Sequence, residues 1–472
     1  MNTGIFNVEQ LDDTICAIAT SPGMGGIAVI RVSGKDALSI VSKCWKGADL
    51  ESAKSHTAHY GKIIDTDDSI LDEVVVTVFK APHSFTGENV VEISCHGSTW
   101  IQQQLLNVLI ANGCRIATGG EFTRRAFSHG KMDLSQAEAV ADVIASSSRA
   151  SHRIAMSQMR GSFSHKLNEL RNRLLQFVSL MELELDFSEE EVEFADRSHM
   201  ISLAEEIKDV INKLASSFAV GNVLKNGVPV AIVGETNAGK STLLNLLLGD
   251  DRAIVSDIHG TTRDVIEDTI TINGTLFRFI DTAGIRDTAD TIEALGIERT
   301  FKKLDEATIV LWVVDGNTSI EEISELGKQI LPRCYDKNLI IIVNKEDIMQ
   351  SGHRNDIQNA LSTMTTDKTH IIFMSAKHQT GLDKLLSLLN EAAALPENDG
   401  NEVIVTNARH YEALLKAEDA IIRAINGLTQ GISGDFISQD IRECMHYLGE
   451  ITGEITTDDI LGEIFSHFCI GK

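Results

Sequence analysis

The chain contains 472 residues, which at about 150 residues a domain predicts roughly three domains. Hydrophobic residues make up 43% and charged residues 23%, a composition that excludes a disordered, collagenous or membrane chain and is typical of a soluble globular protein. With 42 Lys and Arg against 68 Asp and Glu, the net charge of -26 disfavours non-specific nucleic-acid binding by the whole surface, although it still allows local, partner-assisted binding.

The cysteines and the start of the chain indicate the compartment. Seven cysteines are scattered without a CxxC pair, a usage typical of a reducing compartment and not of a zinc or thiol–disulfide site. The first residues are acidic and lack the positive and then apolar pattern of a secretory signal, and no apolar run approaches the roughly 20 residues of a membrane span. We therefore expect a cytoplasmic protein.

Residues 1–120 alternate short β-rich runs with turns. The runs ICAIA, GIAVIRVSG, DEVVVTVFK and VVEISCH are separated by Gly, Pro and Asp. The segment STWIQQQLLNVLIANG then has the pattern of a helix, with Ser98 as its N-cap and Gly113 at its end. The sequence predicts a small N-terminal α+β domain.

Residues 121–220 change to a helical period. An apolar face that steps by three and four residues predicts a long packed helix, and it is formed by Leu167, Leu170, Leu174, Val178, Met181 and Leu185. The first half of this region is rich in Arg and its continuation is rich in Glu. That polarity fits either solvated helix faces of opposite sign or a binding patch.

Residues 221–390 have the sequence pattern of a parallel α/β domain. The short apolar runs PVAIVG, TIVLWVVD, LIIIVN and HIIFMSA are typical of strands buried on both faces, and helix-length segments separate them. The segment VIEDTITINGTLFRFID adds a hairpin, in which Asn273 and Gly274 supply the turn.

Residues 391–472 return to the helical period. Thr456 and Asp459 form a capping-box-like start of the last helix, and an apolar stripe before it is formed by Ile437, Ile441, Cys444, Leu448 and Ile451. Because helical blocks flank the α/β segment, we expect the α/β segment to interrupt one helical domain whose halves pack together. The predicted fold class is a multidomain α/β and α protein, with an N-terminal α+β domain, a discontinuous helical domain and an inserted P-loop domain.

A phosphate-binding motif follows the first strand of the insert. The segment GETNAGKSTLLN contains Gly234-x-x-x-x-Gly239-Lys240-Ser241, a complete P-loop between a strand and an apolar helix. Its glycines let backbone N–H groups face the phosphates, Lys240 neutralises the β- and γ-oxygens, and the Ser241 hydroxyl ligates Mg²⁺.

Three further segments supply the other parts of a guanine-nucleotide site. DTAG at 281–284 places an acidic residue near the metal and an N–H near the γ-phosphate. NKED at 344–347 fits the guanine reader, in which Asp347 accepts from the N1–H and the 2-amino group of the base, a donor pair that adenine lacks. SAK at 375–377 fits the loop that backs the base. Together with the P-loop, these segments predict a GTPase.

The loops that sense the γ-phosphate offer several candidates. Thr261 and Thr262 in GTTRD lie between the P-loop and DTAG. Ile285 stands where a small GTPase has a glutamine that orients the attacking water, so hydrolysis needs another group. A carboxylate can orient the water, and the nearby polar candidates are Arg286, Asp287, Asp290 and Glu293.

These segments together resemble the MnmE (TrmE) family of tRNA modification GTPases from end to end. The resemblance rests on GGIAVIRVSG, SFTGENVVEISCHG, GEFTRRAFSHGKMDLSQAEAVADVI, GETNAGKSTLLN, DIHGTTRD, DTAGIRDTADTIEALGIER, NKED and the terminal CIGK. It implies a Ras-like GTPase domain inserted in the helical domain, and an N-terminal domain that binds a tetrahydrofolate and forms a homodimer.

The resemblance also implies a reaction. The protein would act in a heterotetramer with an FAD-containing partner of the MnmG (GidA) family. It would use 5-formyl- or 5,10-methylene-tetrahydrofolate to add a carboxymethylaminomethyl or aminomethyl group at C5 of the wobble uridine of certain tRNAs. The implied folate-binding residues, whose charges suit the carboxylates and the pterin edge of a folate, are Arg31, Glu92, Lys131 and Lys472.

Roles in the GTPase site follow from the same resemblance. Glu293 would orient the water, Ser241 and Thr262 would ligate Mg²⁺, and K⁺ would take the place of an arginine finger. The implied K⁺ ligands are Asn237, Ser256, Ile258 and Thr261. The full set of GTP-binding residues is Asn237, Ala238, Gly239, Lys240, Ser241, Thr242, Ser256, Asp257, Ile258, His259, Gly260, Thr261, Thr262, Asp281, Thr282, Ala283, Gly284, Asn344, Lys345, Asp347, Ser375, Ala376 and Lys377.

Two further residues belong to the motifs CIGK and CHG. The resemblance makes Cys469 in CIGK a catalytically important cysteine, and nucleophile, proton donor and structural thiol all stay open as its role. His96 in CHG is more typical of a structural histidine than of a base.

Two other classes of GTPase share these nucleotide motifs. A regulatory or ribosome-assembly GTPase usually carries a basic RNA-binding module, whereas this chain is strongly acidic. A membrane-remodelling GTPase needs a basic or apolar lipid-facing segment, and the sequence shows none. Folate binding separates the tRNA-modification hypothesis from both.

Overall fold

The computed structural model describes residues 13–186, 197–249, 254–255, 268–280, 304–350, 352–365, 369–393, 403–466, 468 and 470–471. The chain divides into two compact units. The first unit comprises residues 1–141, 157–208 and 416–472, and the second comprises residues 142–156 and 209–415.

The first unit begins with a mostly antiparallel sheet. Within the described residues it has seven strands in the order β3-β4-β5-β6-β2-β1-β7, and only the β1–β7 pair is parallel. Val74, Val76 and Val78 alternate with more exposed neighbours, so one face of the sheet is buried beneath α1 and α2. The elements are β1 (Ile15–Ile18), β2 (Ile27–Ser33), α1 (Ala37–Cys44), β3 (Trp45–Lys46), β4 (Thr57–Ile64), β5 (Ile70–Phe79), β6 (Val90–His96), α2 (Thr99–Ala111) and β7 (Arg115–Ile116).

This sheet confirms the predicted N-terminal α+β domain, including its helix. Ser98 occupies the N-cap of α2 with an extended backbone, although its side chain makes no capping hydrogen bond. The helix ends at Ala111, and Gly113 follows with a φ of 115°, a left-handed conformation that suits glycine.

A run of helices follows the sheet. They are α3 (Glu121–Ser128), α4 (Leu134–Ala145), α5 (Arg149–Met159), α6 (Ser162–Asp186) and α7 (Arg197–Asn226). The predicted apolar face of α6 is buried over the residues whose side chains are described, which are Leu167, Leu170, Leu174, Val178 and Met181. Leu185 belongs to the same helix, but its side chain lies outside the described part of the chain.

The second unit contains the predicted α/β insert. Its described strands form a seven-stranded sheet in the order β14-β13-β12-β8-β11-β10-β9, with β8 parallel to both β11 and β12. Asn273 and Gly274 have φ angles of 49° and 86° and form the predicted hairpin turn. The elements are β8 (Val228–Gly234), α8 (Lys240–Leu248), β9 (Ile254–Val255), β10 (Asp268–Ile272), β11 (Thr275–Phe279), β12 (Ile309–Asp315), α9 (Ile320–Ile330), β13 (Asn338–Asn344), α10 (His353–Met364), β14 (Thr369–Phe373) and α11 (Leu382–Ala392).

The carboxyl ends of the parallel strands lie at one edge of this sheet. β12 and β13 are buried almost throughout, so the apolar runs of the sequence are strands covered on both faces. The P-loop follows β8, NKED begins at the end of β13 and SAK follows β14, which places all three motifs at that edge.

The chain leaves the insert beside the helix by which it entered. Ser217 Oγ in α7 accepts a hydrogen bond from Val405 N at 3.0 Å. A Cβ added to Gly221 would lie 1.9 Å from Val405 O, so only glycine permits this close crossing. The remaining helices are α12 (Ala408–Gln430), α13 (Gly434–Thr452) and α14 (Asp458–Ser466).

The two halves of the helical sequence pack together within the first unit. α6 lies against α13, whose predicted stripe is buried at Ile437, Ile441, Cys444, Leu448 and Ile451. The start of α14 differs from the prediction, because Ile460 N donates to Thr457 Oγ1 at 3.5 Å and the helix begins at Asp458. Thr457, and not Thr456, therefore faces the first turn.

A buried ion cluster of Asp13, Glu88, Arg115, Glu121 and Arg125 joins α3 to the sheet of the first unit. The Arg125 side chain has no exposed surface and donates to Asp13 Oδ1 at 2.6 Å, to Glu88 Oε1 at 3.0 Å and to Glu121 Oε1 at 3.1 Å. Arg115 also donates to Glu121 Oε1, at 2.5 Å. Burial alone would raise the pKa of Glu121, but the hydrogen bonds from Arg115 and from the Thr118 N–H, with the charges of Arg115 and Arg125, together hold that pKa below its ordinary value. The Glu121 carboxylate thus remains charged at neutral pH.

None of the described helices combines the length and apolarity needed to cross a membrane.

Candidate functional site

The P-loop has the curled backbone that phosphate binding requires. Gly234 ends β8 with a φ of 145°, and Asn237 and Gly239 have φ angles of 66° and 98°. A Cβ on Gly234 would lie 2.1 Å from Val313 O, and one on Gly239 would lie 2.2 Å from Asn344 Nδ2. Glycine at these two positions therefore allows the loop to pack against β12 and β13 before α8 begins.

Lys240 is the first residue of α8, and its side chain folds back over the P-loop. Its ammonium group donates to Gly234 O at 2.8 Å and to Glu235 O at 2.6 Å. The positive charge consequently lies at the amino end of the helix, where the free N–H groups of the first turn also favour an anion. Ser241 and Thr242 follow in that first turn.

Asn344 connects three of the predicted motifs. Its side chain is buried, and its Nδ2 donates to Ala238 O of the P-loop at 2.9 Å. Its Oδ1 accepts from Ala376 N of the SAK loop at 3.0 Å. A single amide thus fixes the P-loop, the guanine-reader loop and the loop behind the base in one arrangement.

The guanine-reader loop and the SAK loop also contact each other directly. Glu346 N donates to Met374 O at 3.2 Å, and Ser375 exchanges backbone hydrogen bonds of 3.2 Å with Thr380. A hydrogen bond from the Ser375 side chain lowers the pKa of Asp347, so this carboxylate is charged at neutral pH. Its position is suited to accept two donors from a base.

The structure therefore brings together the part of the predicted nucleotide site that it describes. These residues are Asn237, Ala238, Gly239, Lys240, Ser241, Thr242, Asn344, Lys345, Asp347, Ser375, Ala376 and Lys377. The other predicted residues lie outside the described part of the chain; they are Ser256, Asp257, Ile258, His259, Gly260, Thr261, Thr262, Asp281, Thr282, Ala283, Gly284, Glu293, Cys469 and Lys472.

A second cluster lies in the first unit around Arg31 on β2. Its guanidinium donates to Glu92 Oε1 at 2.9 Å from Nε and lies 2.8 Å from the same oxygen through Nη2. It also lies 5.5 Å from the centre of the Phe85 ring and 5.6 Å from that of Phe122, and it donates to Gly471 O at 3.4 Å. Two predicted folate residues and the C-terminal segment thus meet at one place.

Lys131 follows α3 and contacts the loop that carries Phe85. Its ammonium group donates to Pro82 O at 2.9 Å, while the neighbouring His129 contacts Thr86 O through Nδ1 at 2.8 Å. Lys131 is therefore a cation bound to a backbone carbonyl and is exposed to solvent. Phe85 and Phe122 lie in the motifs SFTGEN and GEFTRR, but the sequence pattern does not predict that their rings lie beside Arg31.

His96 has a structural environment. Its Nδ1 lies 2.7 Å from Asp72 Oδ1, and its backbone N–H donates to Asp72 Oδ2 at 2.8 Å. The contact between Asp72 and His96 therefore joins β5 to the end of β6. This agrees with the expectation that His96 is a structural histidine.

Comparisons with known proteins agree over nearly the whole chain. A family model described as the MnmE helical domain matches residues 134–469, and one described as the GTP-binding protein TrmE N-terminus matches residues 14–131.

Curated relatives give the same result. A protein of Bacteroides thetaiotaomicron named tRNA modification GTPase MnmE is 58% identical over 464 residues, which are 98% of this chain and 99% of that protein. Proteins of the same name from Parabacteroides distasonis and Flavobacterium johnsoniae are 58% and 52% identical and cover 97% and 98% of this chain, and 100% and 99% of their own lengths. Such identity over nearly full length shows that the chain belongs to the MnmE family of tRNA modification GTPases.

Proposed function

We propose that this protein binds and hydrolyses GTP as part of a tRNA modification reaction. The observation that carries the nucleotide half of this proposal is the Asn344 amide, which holds the P-loop and the SAK loop at 2.9 Å and 3.0 Å. The NKED motif favours guanine as the bound base, because Asp347 offers two acceptors to the N1–H and the 2-amino group. Membership of the family supports tRNA as the substrate of the overall reaction.

The P-loop residues fit a Mg²⁺-bound nucleotide. The left-handed backbone at Asn237 and Gly239 turns N–H groups toward the phosphate position, and Lys240 lies at the same helix terminus. Ser241 would hold Mg²⁺ together with Thr262, and the ion would neutralise charge on the β- and γ-phosphates. Asn237 would hold K⁺ with Ser256, Ile258 and Thr261, and Glu293 would orient the attacking water.

The cluster around Arg31 fits a tetrahydrofolate. A folate combines a planar pterin, whose polar edge donates and accepts hydrogen bonds, with the carboxylates of its glutamate. Glu92 supplies an acceptor, Arg31 and Lys131 supply cations, and the partly exposed ring of Phe85 supplies an apolar wall. Lys472, next to the Gly471 carbonyl that Arg31 contacts, would complete the set.

The finer reaction that we propose uses this folate as the one-carbon source. With an FAD-containing partner of the MnmG type, the protein would add a carboxymethylaminomethyl or aminomethyl group at C5 of a wobble uridine, working as a homodimer within a heterotetramer. Cys469 would act at the folate site. The acidic surface agrees with an arrangement in which the partner supplies much of the contact with the RNA backbone.

Folate binding is the experiment that separates this function from a GTPase switch. We expect the purified protein to bind 5-formyl-tetrahydrofolate in isothermal titration calorimetry, and Arg31→Met to weaken that binding by about tenfold or more, the loss expected for one charged hydrogen bond. Met keeps the length of the stem while removing the guanidinium from Glu92 and from the carboxylates of the ligand.

Arg423→Met is the matched control, because Arg423 forms exposed ion pairs with Asp440 and Glu443 in the helical part of the chain. It should bind the folate like the wild type. Absence of folate binding by the wild-type protein, or equal affinity in Arg31→Met, would contradict the folate site and leave a GTPase of another kind.

A further inference from the structure

The Lys345 side chain of the guanine-reader loop is held by a residue outside the motif. Lys345 has a left-handed backbone with a φ of 62°. Its ammonium group donates to Asp315 Oδ2 at 2.6 Å, and both side chains are about one quarter to one third exposed, at 24% for Asp315 and 33% for Lys345. Asp315 ends the neighbouring strand β12, so the ion pair crosses from one strand end to the next.

The Asp315 carboxylate is itself fixed by the loop that follows it. Its Oδ1 accepts from Asn317 N at 3.0 Å and from Asn317 Nδ2 at 3.3 Å, which leaves Oδ2 turned toward Lys345. Burial would raise the pKa of Asp315, but the hydrogen bonds and the charge of Lys345 lower it overall. The carboxylate therefore remains ionised at neutral pH and keeps its attraction for the ammonium group.

The backbones of the two loops are joined as well. Gly316 N donates to Asn344 O at 2.8 Å, directly before Lys345. A Cβ on Gly316 would lie 2.9 Å from the same carbonyl oxygen, so the two loops pack without spare room. The main chain of the reader loop is thus fixed by backbone contacts. Asp315 therefore affects the site through the Lys345 side chain.

We propose that Asp315 is a positioning residue for guanine-nucleotide binding, which holds the Lys345 side chain in the conformation that receives the nucleoside. A free lysine side chain populates many rotamers, and the stem must be ordered before it can pack against a ligand. The ion pair with Asp315 orders that stem in advance. This inference rests on the proposed guanine-nucleotide site.

The test is a double-mutant cycle on GDP affinity, measured with the fluorescent analogue mant-GDP. Asp315→Asn keeps the shape and the Asn317 contacts while removing the charge, and we expect it to raise the dissociation constant about tenfold. In a Lys345→Met background the same substitution should change the dissociation constant by less than about twofold, since the group that Asp315 holds is gone. An equal factor in both backgrounds would overturn the proposal, because Asp315 would then act through the general structure of the loop.

Two further variants keep the test decisive. Asp315→Glu retains the charge and should keep the affinity within about threefold of wild type, so a loss as large as that of Asp315→Asn would also overturn the proposal. Asp305→Asn makes the same chemical change in an exposed ion pair with Arg333 and should bind mant-GDP like the wild type. If the wild-type protein failed to bind mant-GDP, the proposed function would fail; if it bound and Asp315→Asn bound equally, this inference alone would fail.

Discussion

Asp347→Asn is expected to weaken GTP binding by about a hundredfold or more and to strengthen binding of XTP. The carboxylate offers two acceptors to guanine, whereas an amide presents one acceptor and one donor, so the 2-amino group of guanine meets a second donor. Xanthine carries an oxygen at that position and restores the pairing. Direct titration with mant-GDP and with mant-XDP, for the wild type and the variant side by side, measures the exchange of specificity.

The control for this prediction is again Asp305→Asn, which leaves the base site untouched and should bind both nucleotides as the wild type does. An equal loss of mant-GDP and mant-XDP affinity in Asp347→Asn would show a collapsed loop instead of a changed base preference. Unchanged mant-GDP affinity would contradict the assignment of Asp347 as the guanine reader.

Arg125→Met is expected to destabilise the N-terminal part of the first unit by about 3–5 kcal/mol, because removing one partner of a buried ion pair leaves uncompensated charge behind. Its guanidinium is fully buried and contacts Asp13, Glu88 and Glu121. The substitution would leave Asp13 and Glu121 with the guanidinium of Arg115 and would remove the Arg125 ion pair of Glu88. Hydrogen–deuterium exchange of the β2 segment Ile27–Ser33 reports the free energy of opening for this part of the molecule.

The comparison for Arg125 is Arg423→Met, whose exposed ion pairs should contribute less than about 1 kcal/mol. A similar small change in both variants would contradict the view that the ion cluster holds α3 on the sheet. The pH dependence of this stability has a predicted direction. The folded-state pKa of Glu121 lies below its ordinary value of 4.5, so its contribution is present above that pH and is lost as the pH falls through the folded-state pKa.

The order and type of the helices and strands could be predicted because they depend on local sequence patterns. The period of two in β5 and the steps of three and four in α6 appear within short stretches of sequence, and both faces are buried as expected. The Asn273-Gly274 turn needs only left-handed backbone at two adjacent residues. The sequence predicts the start of the last helix one residue too early, because Thr456 and Thr457 are adjacent hydroxyl residues and local chemistry does not distinguish between them.

The candidate sites were predictable only where a motif carries them. GxxxxGKS and NKxD located the P-loop and Asp347, but nothing local showed that Asn344 would bond to both Ala238 and Ala376. These bonds join residues far apart in the chain and depend on the order of the strands. The same holds for Asp315, whose partner is 30 positions away, and for the aromatic rings beside Arg31.

The most direct test of the central claim is the rate of phosphate release from GTP by the purified protein in KCl and in NaCl, for the wild type and Glu293→Ala, with ATP as the comparison substrate. We predict that GTP and not ATP is hydrolysed, that KCl accelerates the reaction, and that Glu293→Ala loses most of the rate while still binding mant-GDP. Hydrolysis of ATP at the same rate as GTP would contradict the account of the guanine site, and equal rates in the two salts would contradict the proposed K⁺ site.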